Sequence, residues 1–282
     1  MSEQVRYRRI KRVSCYYTAS IQLSVMEFEQ KVVIITGASS GIGEACAQTF
    51  AKAGALLSIV GRNVENLDQV AKKCAEYGNK PLVIKADISV AEDVEKIVKN
   101  TVAHYGKIDV LVNNAGMLRI AGLMDDISNF DQMVGTNIRG TYLLSQKAIP
   151  HLIESKGNIV TVSSVVSTIT EPVIMQYSMT KAALDAFTRC AASELGPKGV
   201  RVNAVNPGPV FTNLFVRSGL TDEDYKTKFE EVRTSMRLKK IAEPEDVANL
   251  VAFLASDRAK CITGSFHYID GGLHLGNPVL RP

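Results

Sequence analysis

Hydrophobic and polar positions along the chain fall into two alternating patterns. Val32-Val33-Ile34-Ile35 is an unbroken apolar run, as expected of a strand buried on both faces. A helical stretch follows from about 42 to 53, then a second strand over 56–60 and a helix over 64–77. A third strand is expected over 81–86. After it, Val90, Val94, Ile97, Val98, Thr101, Val102 and Tyr105 form one stripe of an amphipathic helix. Ile108 to Val112 reads as the fourth strand. The second half repeats the rhythm, with helices over 130–153, 177–195 and 244–256 and strands over 158–162, 200–205 and 266–269. Strand–helix alternation at this spacing predicts an α/β fold: a doubly wound, Rossmann-type parallel sheet of about seven strands with helices on both faces. Residues 207–240 are the longest irregular stretch, whose length suggests function, and 210–240 read as a substrate-loop segment able to close as a lid.

No linker divides residues 27–282, which read as a single catalytic domain. Hydrophobic residues make up 46% and charged residues 22% of the 282, an ordinary globular balance. No apolar run approaches the ~18 residues of a membrane helix. The net charge of +4 resides in the first 25 residues, where Arg6, Arg8, Arg9, Lys11 and Arg12 face only Glu3. The rest is neutral, which argues against a nucleic-acid surface on the folded body. Residues 1–26 read as a basic extension, expected to be disordered and dispensable. Their Arg-rich, acid-poor composition also resembles a mitochondrial transit peptide, so the expected cytoplasmic location has a mitochondrial alternative. Cysteines stand at 15, 46, 74, 190 and 261, and histidines at 104, 151, 267 and 274. Neither set has metal-ligand spacing, so no metal site is expected, and the unpaired cysteines suit a reducing compartment.

Three features carry chemistry. The first is Gly37-Ala38-Ser39-Ser40-Gly41-Ile42-Gly43, placed where the first strand turns into a helix. Glycines there permit the turn and the close approach of backbone to a pyrophosphate, which the helix N-terminus attracts. The second is Gly61-Arg62-Asn63 at the end of the second strand. An acidic residue at that end would favour NAD(H). Arg62 can instead pair with a 2′-phosphate, so NADP(H) is the expected cofactor and NAD(H) the less favoured one. The third is Tyr177 with Lys181, four apart on one helix face, with Ser164 thirteen residues earlier at a strand end. An ammonium beside a phenol is expected to lower the tyrosine pKa, suiting it to general acid/base work. Tyr7 and Lys11 repeat the spacing in the tail without an upstream serine, and read as accidental.

With Asp87 after the third strand, Asn113-Asn114-Ala115-Gly116, Asn137 in the next helix and Pro207-Gly208, these motifs resemble the short-chain dehydrogenase/reductase family over about residues 27–276. Among its members the chain is most similar to those like the bacterial 3-oxoacyl-carrier-protein reductases. The resemblance implies roles. Tyr177 would donate a proton to a substrate carbonyl, Ser164 would hydrogen-bond the same oxygen, and Lys181 would bind the nicotinamide ribose. Asn137 would hold a water linking Lys181 to solvent. Asp87, with Ile88 beside it, would contact the adenine. Asn114, Ala115 and Gly116 would line the cofactor, and Pro207, Gly208, Val210 and Thr212 would cradle the nicotinamide. Met117, Leu118, Ile174, Phe211 and Leu214, with Ile120, Val173, Met175 and Phe215 nearby, make an apolar substrate environment. It suits a hydrophobic ketone, aldehyde or secondary alcohol: 3-oxoacyl, steroid-like or xenobiotic. A carrier-protein substrate would need a basic patch, for which Arg233, Arg237, Lys239 and Lys240 are the candidates. A homodimer or homotetramer is implied, the helices over 130–153 and 177–195 pairing through Ala182, Ala183, Ala186, Ala191 and Ala192. The competing reading is a dinucleotide-binding sensor or structural subunit without turnover, which Tyr177→Phe would separate from an enzyme.

Overall fold

The computed structural model describes residues 27–276 apart from 213, 215–217 and 219–221. Seven parallel strands form one sheet: β1 (Val32–Thr36), β2 (Leu56–Gly61), β3 (Leu82–Lys85), β4 (Val110–Asn113), β5 (Asn158–Val162), β6 (Arg201–Pro207) and β7 (Phe266–Ile269). Their order is β3-β2-β1-β4-β5-β6-β7. The chain enters at β1, steps outward to β3, and returns to lay β4 on the other side of β1. The order reverses between β1 and β4, where a doubly wound sheet opens a crevice at the carboxyl ends of its strands.

The helices are α1 (Gly41–Lys52), α2 (Val64–Ala75), α3 (Ala91–Tyr105), α4 (Ile127–Met133), α5 (Thr141–Ser155), α6 (Met175–Leu195), α7 (Asp222–Ser235) and α8 (Pro244–Ala255). Successive strand residues go to opposite layers. Val33 and Ile35 of β1, Val110 and Val112 of β4, and Val160 and Val162 of β5 pack against Phe50 of α1, Leu67 of α2 and Val251 of α8. Ile34, Leu111 and Ile159 face Val94 and Ile97 of α3, Leu144 and Leu152 of α5, and Leu195 of α6. Every central strand is therefore apolar on both faces, which is why its sequence reads as a continuous run rather than an alternation.

Three expectations need correction. Residues 207–240 are not irregular throughout, because α7 occupies Asp222–Ser235. That helix is rich in Asp, Glu and Lys, so its few apolar side chains leave little amphipathic signal; Phe229 and Val232 anchor it against Met236 and Ile241. Val90 is not part of the α3 stripe: it precedes the helix as its cap and is 43% exposed. The helix expected over 130–153 begins at Ile127 and is interrupted by a π-helical segment, Val134–Gly140, before α5.

Candidate active site

The crevice holds a cavity of about 970 Å³, at the upper end of the range for small-molecule sites. One end is the turn from β1 into α1. Gly37 and Gly41 adopt positive φ, 66° and 58°, the left-handed conformation that favours glycine. Gly37, Ser39, Ser40, Gly41 and Ile42 line the cavity. Gly43 does not. A Cβ on Gly43 would lie 2.3 Å from the Gly37 carbonyl oxygen, so that glycine lets α1 seat on its own turn instead of touching a ligand.

The next wall clips the two central strand ends together. Thr36 Oγ1 accepts from the amides of Asn114 and Ala115, each at 3.0 Å, and Asn114 Nδ2 donates to the Thr36 carbonyl at 2.8 Å. Asn114, Ala115 and Gly116 thereby form one side of the cavity. Arg62, Asn63, Asp87 and Ile88 line its far end. Asn63 also caps α2, accepting from the Asn66 amide at 2.7 Å. Arg62 reaches Asp87 Oδ2 at 3.5 Å, but its side chain is 74% exposed, and such a pair is weak and easily exchanged. Burial raises the Asp87 carboxyl, but hydrogen bonds from the Ser89 amide and hydroxyl and the Arg62 charge hold it below the ordinary carboxylate value. Glu65, in the first turn of α2, shares this end. The sequence reading passed it over because it lies beyond the strand end where cofactor preference is read.

Ser164, Tyr177 and Lys181 come together on the wall opposite. Ser164 begins a 3-10 turn after β5, where its hydroxyl donates to the Pro207 carbonyl at 3.4 Å. Tyr177 and Lys181 are buried on one face of α6. The Lys181 ammonium donates to the Val162 carbonyl at 2.8 Å and lies 5.4 Å from the centre of the Tyr177 ring. The expectation that lysine lowers the tyrosine pKa is not met by the protein groups alone. Burial pushes the Tyr177 phenol well above its ordinary value, against a smaller opposing pull from a hydrogen bond with Ser164. Burial likewise draws Lys181 down to about 8, with Asp185 pulling the other way. Tyr177 is thus protonated throughout the neutral range, the state that gives a proton rather than takes one.

Asn137 sits in the π segment, 1% exposed. Its Oδ1 accepts from the Met117 amide and its Nδ2 donates to the Met117 carbonyl, both at 2.9 Å, with a further bond to Thr180 Oγ1 at 3.0 Å. It clamps the chain after β4 onto α6, and it is not among the residues lining the cavity. Pro207, Gly208, Val210 and Thr212 are, and Thr212 closes over the glycine turn: its Cγ2 lies 3.0 Å from where a Gly41 Cβ would be. Of the substrate candidates, Met117, Leu118, Ile174 and Leu214 line the cavity, as do Ile120 and Val173. Phe211 does not; it is 45% exposed and its ring packs on Phe229, 5.6 Å between centres. Phe215 lies outside the described residues. Phe229, Val232 and Leu273 complete the apolar end, unseen in the sequence because α7 and the segment after β7 carry no motif. The candidate basic patch is partly neutralised: Arg233 pairs with Glu230 and also donates to the Lys239 carbonyl.

A family model described as enoyl-(acyl carrier protein) reductase matches residues 37–274. The 3-oxoacyl-[acyl-carrier-protein] reductase of Thermotoga maritima is 35% identical over 250 residues, covering 88% of this chain and 99% of that protein. The chain belongs to the short-chain dehydrogenase/reductase family. Its structure is similar to that of a short-chain dehydrogenase/reductase of unknown function from Caenorhabditis elegans with cofactor (TM-score 0.85, 34% identity, 89% of this chain and 97% of that one). It is also similar to the 3-ketoacyl-(acyl-carrier-protein) reductase of Brucella melitensis complexed with NADH (TM-score 0.79, 36% identity, 87% and 99%).

Short-chain dehydrogenases/reductases are oxidoreductases that bind a nicotinamide dinucleotide. The residues present fit one. The cavity runs continuously from the glycine turn to Tyr177 and Lys181. At Gly116 a Cβ would stand 3.5 Å from Asn137 Oδ1 and 3.6 Å from Lys181 Nζ without clashing, so the missing side chain keeps cavity space open beside the lysine. Among the described residues, no helix is long and apolar enough to cross a membrane.

Proposed function

We propose that this protein is an NADP(H)-dependent reductase that interconverts a small apolar carbonyl compound and its secondary alcohol. The observation that carries the reading is the meeting of Ser164, Tyr177 and Lys181 on one wall of a cavity whose other end is the glycine turn. The cofactor, when bound, supplies the hydride. Tyr177 gives its proton to the carbonyl oxygen as negative charge develops there. The Ser164 hydroxyl, whose bond to the Pro207 carbonyl is long at 3.4 Å, turns to donate to the same oxygen. Lys181 would hold the nicotinamide ribose. Asn137 keeps Met117 and Thr180 in place around this set. The reading is tested by following NADPH consumption with the purified chain against ketones, quinones, steroids and acyl thioesters, with Tyr177→Phe as control. Turnover that survives in the variant overturns the mechanism.

NADP(H) is favoured by Arg62, an exposed guanidinium at the adenosine end that can trade its long contact with Asp87 for a phosphate. Glu65 and Asp87 oppose it, so the preference rests on Arg62 alone among the cations lining that end. Arg62→Asp should weaken NADPH binding by about 10-fold or more while sparing NADH, the size expected for one charge-assisted contact. Equal affinities in the wild-type and variant proteins would remove the assignment.

The α5 and α6 faces pair with a second copy in this reading. Tyr142 and Met179 are 56% and 52% exposed there, and Ala182 and Ala186 offer a smooth surface between them. Ala192 is excluded from that face, being buried against the chain's own Leu195 and Val200. Sizing chromatography of the full chain checks the pairing; elution as a monomer would refute it.

A further inference from the structure

Beneath the reacting set lies a polar cluster that the reaction itself does not use. Asp185 is 5% exposed and stands one turn beyond Lys181 on the same buried face of α6. Asn206, fully buried near the end of β6, is its hydrogen-bond donor, with Nδ2 at 3.1 Å from Oδ2 and 3.3 Å from Oδ1. The same Nδ2 reaches the carbonyl oxygen of Ser164 at 3.2 Å and the hydroxyl of Ser167 at 3.0 Å. A carboxylate only accepts, so the amide must turn its nitrogen toward Asp185. That orientation leaves Asn206 Oδ1 buried and without a partner. Neither feature serves packing. A buried carboxylate with a single neutral donor is poorly compensated, and an orphaned buried oxygen adds to the cost. Both are retained where β6, α6 and the Ser164 turn converge.

Lys181 is the charge that makes sense of Asp185. The groups that face the ammonium are the Tyr177 ring on its own helix, the Val162 carbonyl at the end of β5 and Gly116 after β4, while the Ser163 hydroxyl donates to the Lys181 backbone carbonyl. None of them carries a negative charge at neutral pH. Asp185 is the one charge acting on Lys181 among the described residues.

We propose that Asp185 and Asn206 are positioning residues of the active site: Asp185 is the buried counter-charge that holds Lys181 as an ammonium, and Asn206 ties that carboxylate to the backbone of Ser164. The inference rests on the reading of Ser164, Tyr177 and Lys181 as the reacting set. Burial alone draws the lysine toward neutrality, and Asp185 opposes this. One buried carboxylate thus sets the charge of Lys181 and, through Asn206, the placement of the serine.

The test uses the full chain with Asp185→Asn, Asp185→Glu, Asn206→Ala and Tyr177→Phe, each checked for folding by thermal denaturation. Two quantities are followed from pH 6 to 10: NADPH affinity by fluorescence with no carbonyl substrate present, and kcat. With Asp185→Asn, the alkaline loss of NADPH affinity and of kcat should both move about one unit lower, the size expected for removing an adjacent opposite charge. At pH 6 this variant should stay within a few-fold of wild type. Asp185→Glu should restore the wild-type alkaline limb. Asn206→Ala should lower kcat about 10-fold while leaving that limb in place. A uniform drop in Asp185→Asn with an unmoved pH profile marks a merely structural role and overturns the proposal. Should Asp185→Asn not fold, the proposal stands or falls on Asp185→Glu keeping the limb and Asn206→Ala lowering kcat without moving it. Persistent turnover in Tyr177→Phe would sink the reaction reading instead; the NADPH titration in the absence of substrate then still decides the role of Asp185.

Discussion

Helices α6 and α8 both pack against the sheet around β6, and they bury opposite kinds of side chain. α8 buries Val247, Ala248, Val251, Ala252, Leu254 and Ala255, all apolar. Its ends follow simple chemistry: Pro244 stands in its first turn, and Glu243 and Asp246 form a reciprocal cap. α6 buries Gln176, Tyr177, Thr180, Lys181, Asp185 and Thr188 alongside Leu184, Ala192 and Leu195. A helix selected for packing alone would not bury an ammonium and a carboxylate, since each loses several kcal/mol of hydration. The difference separates a helix that holds the fold from one that carries the groups proposed to react. Hydropathy patterning reads the first kind and is nearly blind to the second.

The comparison can be broken at three points. The largest effect is expected on α6, where Tyr177→Phe should lower turnover about 10³-fold, within the range for losing a positioned general acid, and leave NADPH affinity within about 2-fold. Steady-state kinetics with a cofactor titration checks this, and a loss of binding equal to the loss of turnover would show a cradle residue instead. Leu254→Ala on α8 should do the reverse. It should cost about 2–5 kcal/mol of stability by denaturant unfolding, as for a fully buried leucine, with kcat per folded molecule unchanged. A kinetic defect in that variant would mean that α8 shapes the site.

The smallest effect sharpens the contrast through pH. Lys181 titrates near 8 in the fold and near its ordinary value, about 10.4, when unfolded. Between those values the unfolded chain binds more protons, so stability should rise with pH over that window. At neutral pH the buried charge opposes folding by the full difference, about 3 kcal/mol at most. Relative to Lys181→Met, the wild-type protein should therefore gain stability from about pH 8 to 10. Tyr177 acts in the other direction: its raised pKa contributes stability below about pH 10 that is lost above it. Chemical denaturation of both proteins at a series of pH values measures the difference. Parallel curves would mean that Lys181 binds its proton equally in the folded and unfolded chain, so that burial does not lower its pKa.

Much of the fold was legible because the strands are buried on both faces. Runs such as Val32–Ile35 must be apolar throughout when helices cover each side, and each strand boundary fell within two residues of its expected place. α7 escaped because, among the described residues, it is tied down by Phe229 and Val232 within a largely charged segment. In the site, the glycine turn, the Asn114–Gly116 wall, Ser164, Tyr177 and Lys181 were readable because their spacing and order carry the signal. Phe211 was misread as lining the cavity: an apolar residue next to a cradle residue can point either way, and here it packs on α7. Glu65, Asp185 and Asn206 gave no signal, since nothing in their neighbours along the chain reveals what lies across from them.

The amino-acid sequence alone determined the alternation of strand and helix, the glycine turn, and the order of the groups proposed to react. Those properties are local, set by side-chain periodicity and by conformations that few residues adopt. The tertiary structure alone decided which charges are buried together. It brought Asp185 on α6 to Asn206 on β6 and to the Ser164 turn. It also placed Asn137 in a π segment beneath Met117. It raised the pKa of Tyr177 through burial, where its i, i+4 lysine had suggested a lowered one. Desolvation depends on everything packed around a group, and that sum is formed only when distant segments meet.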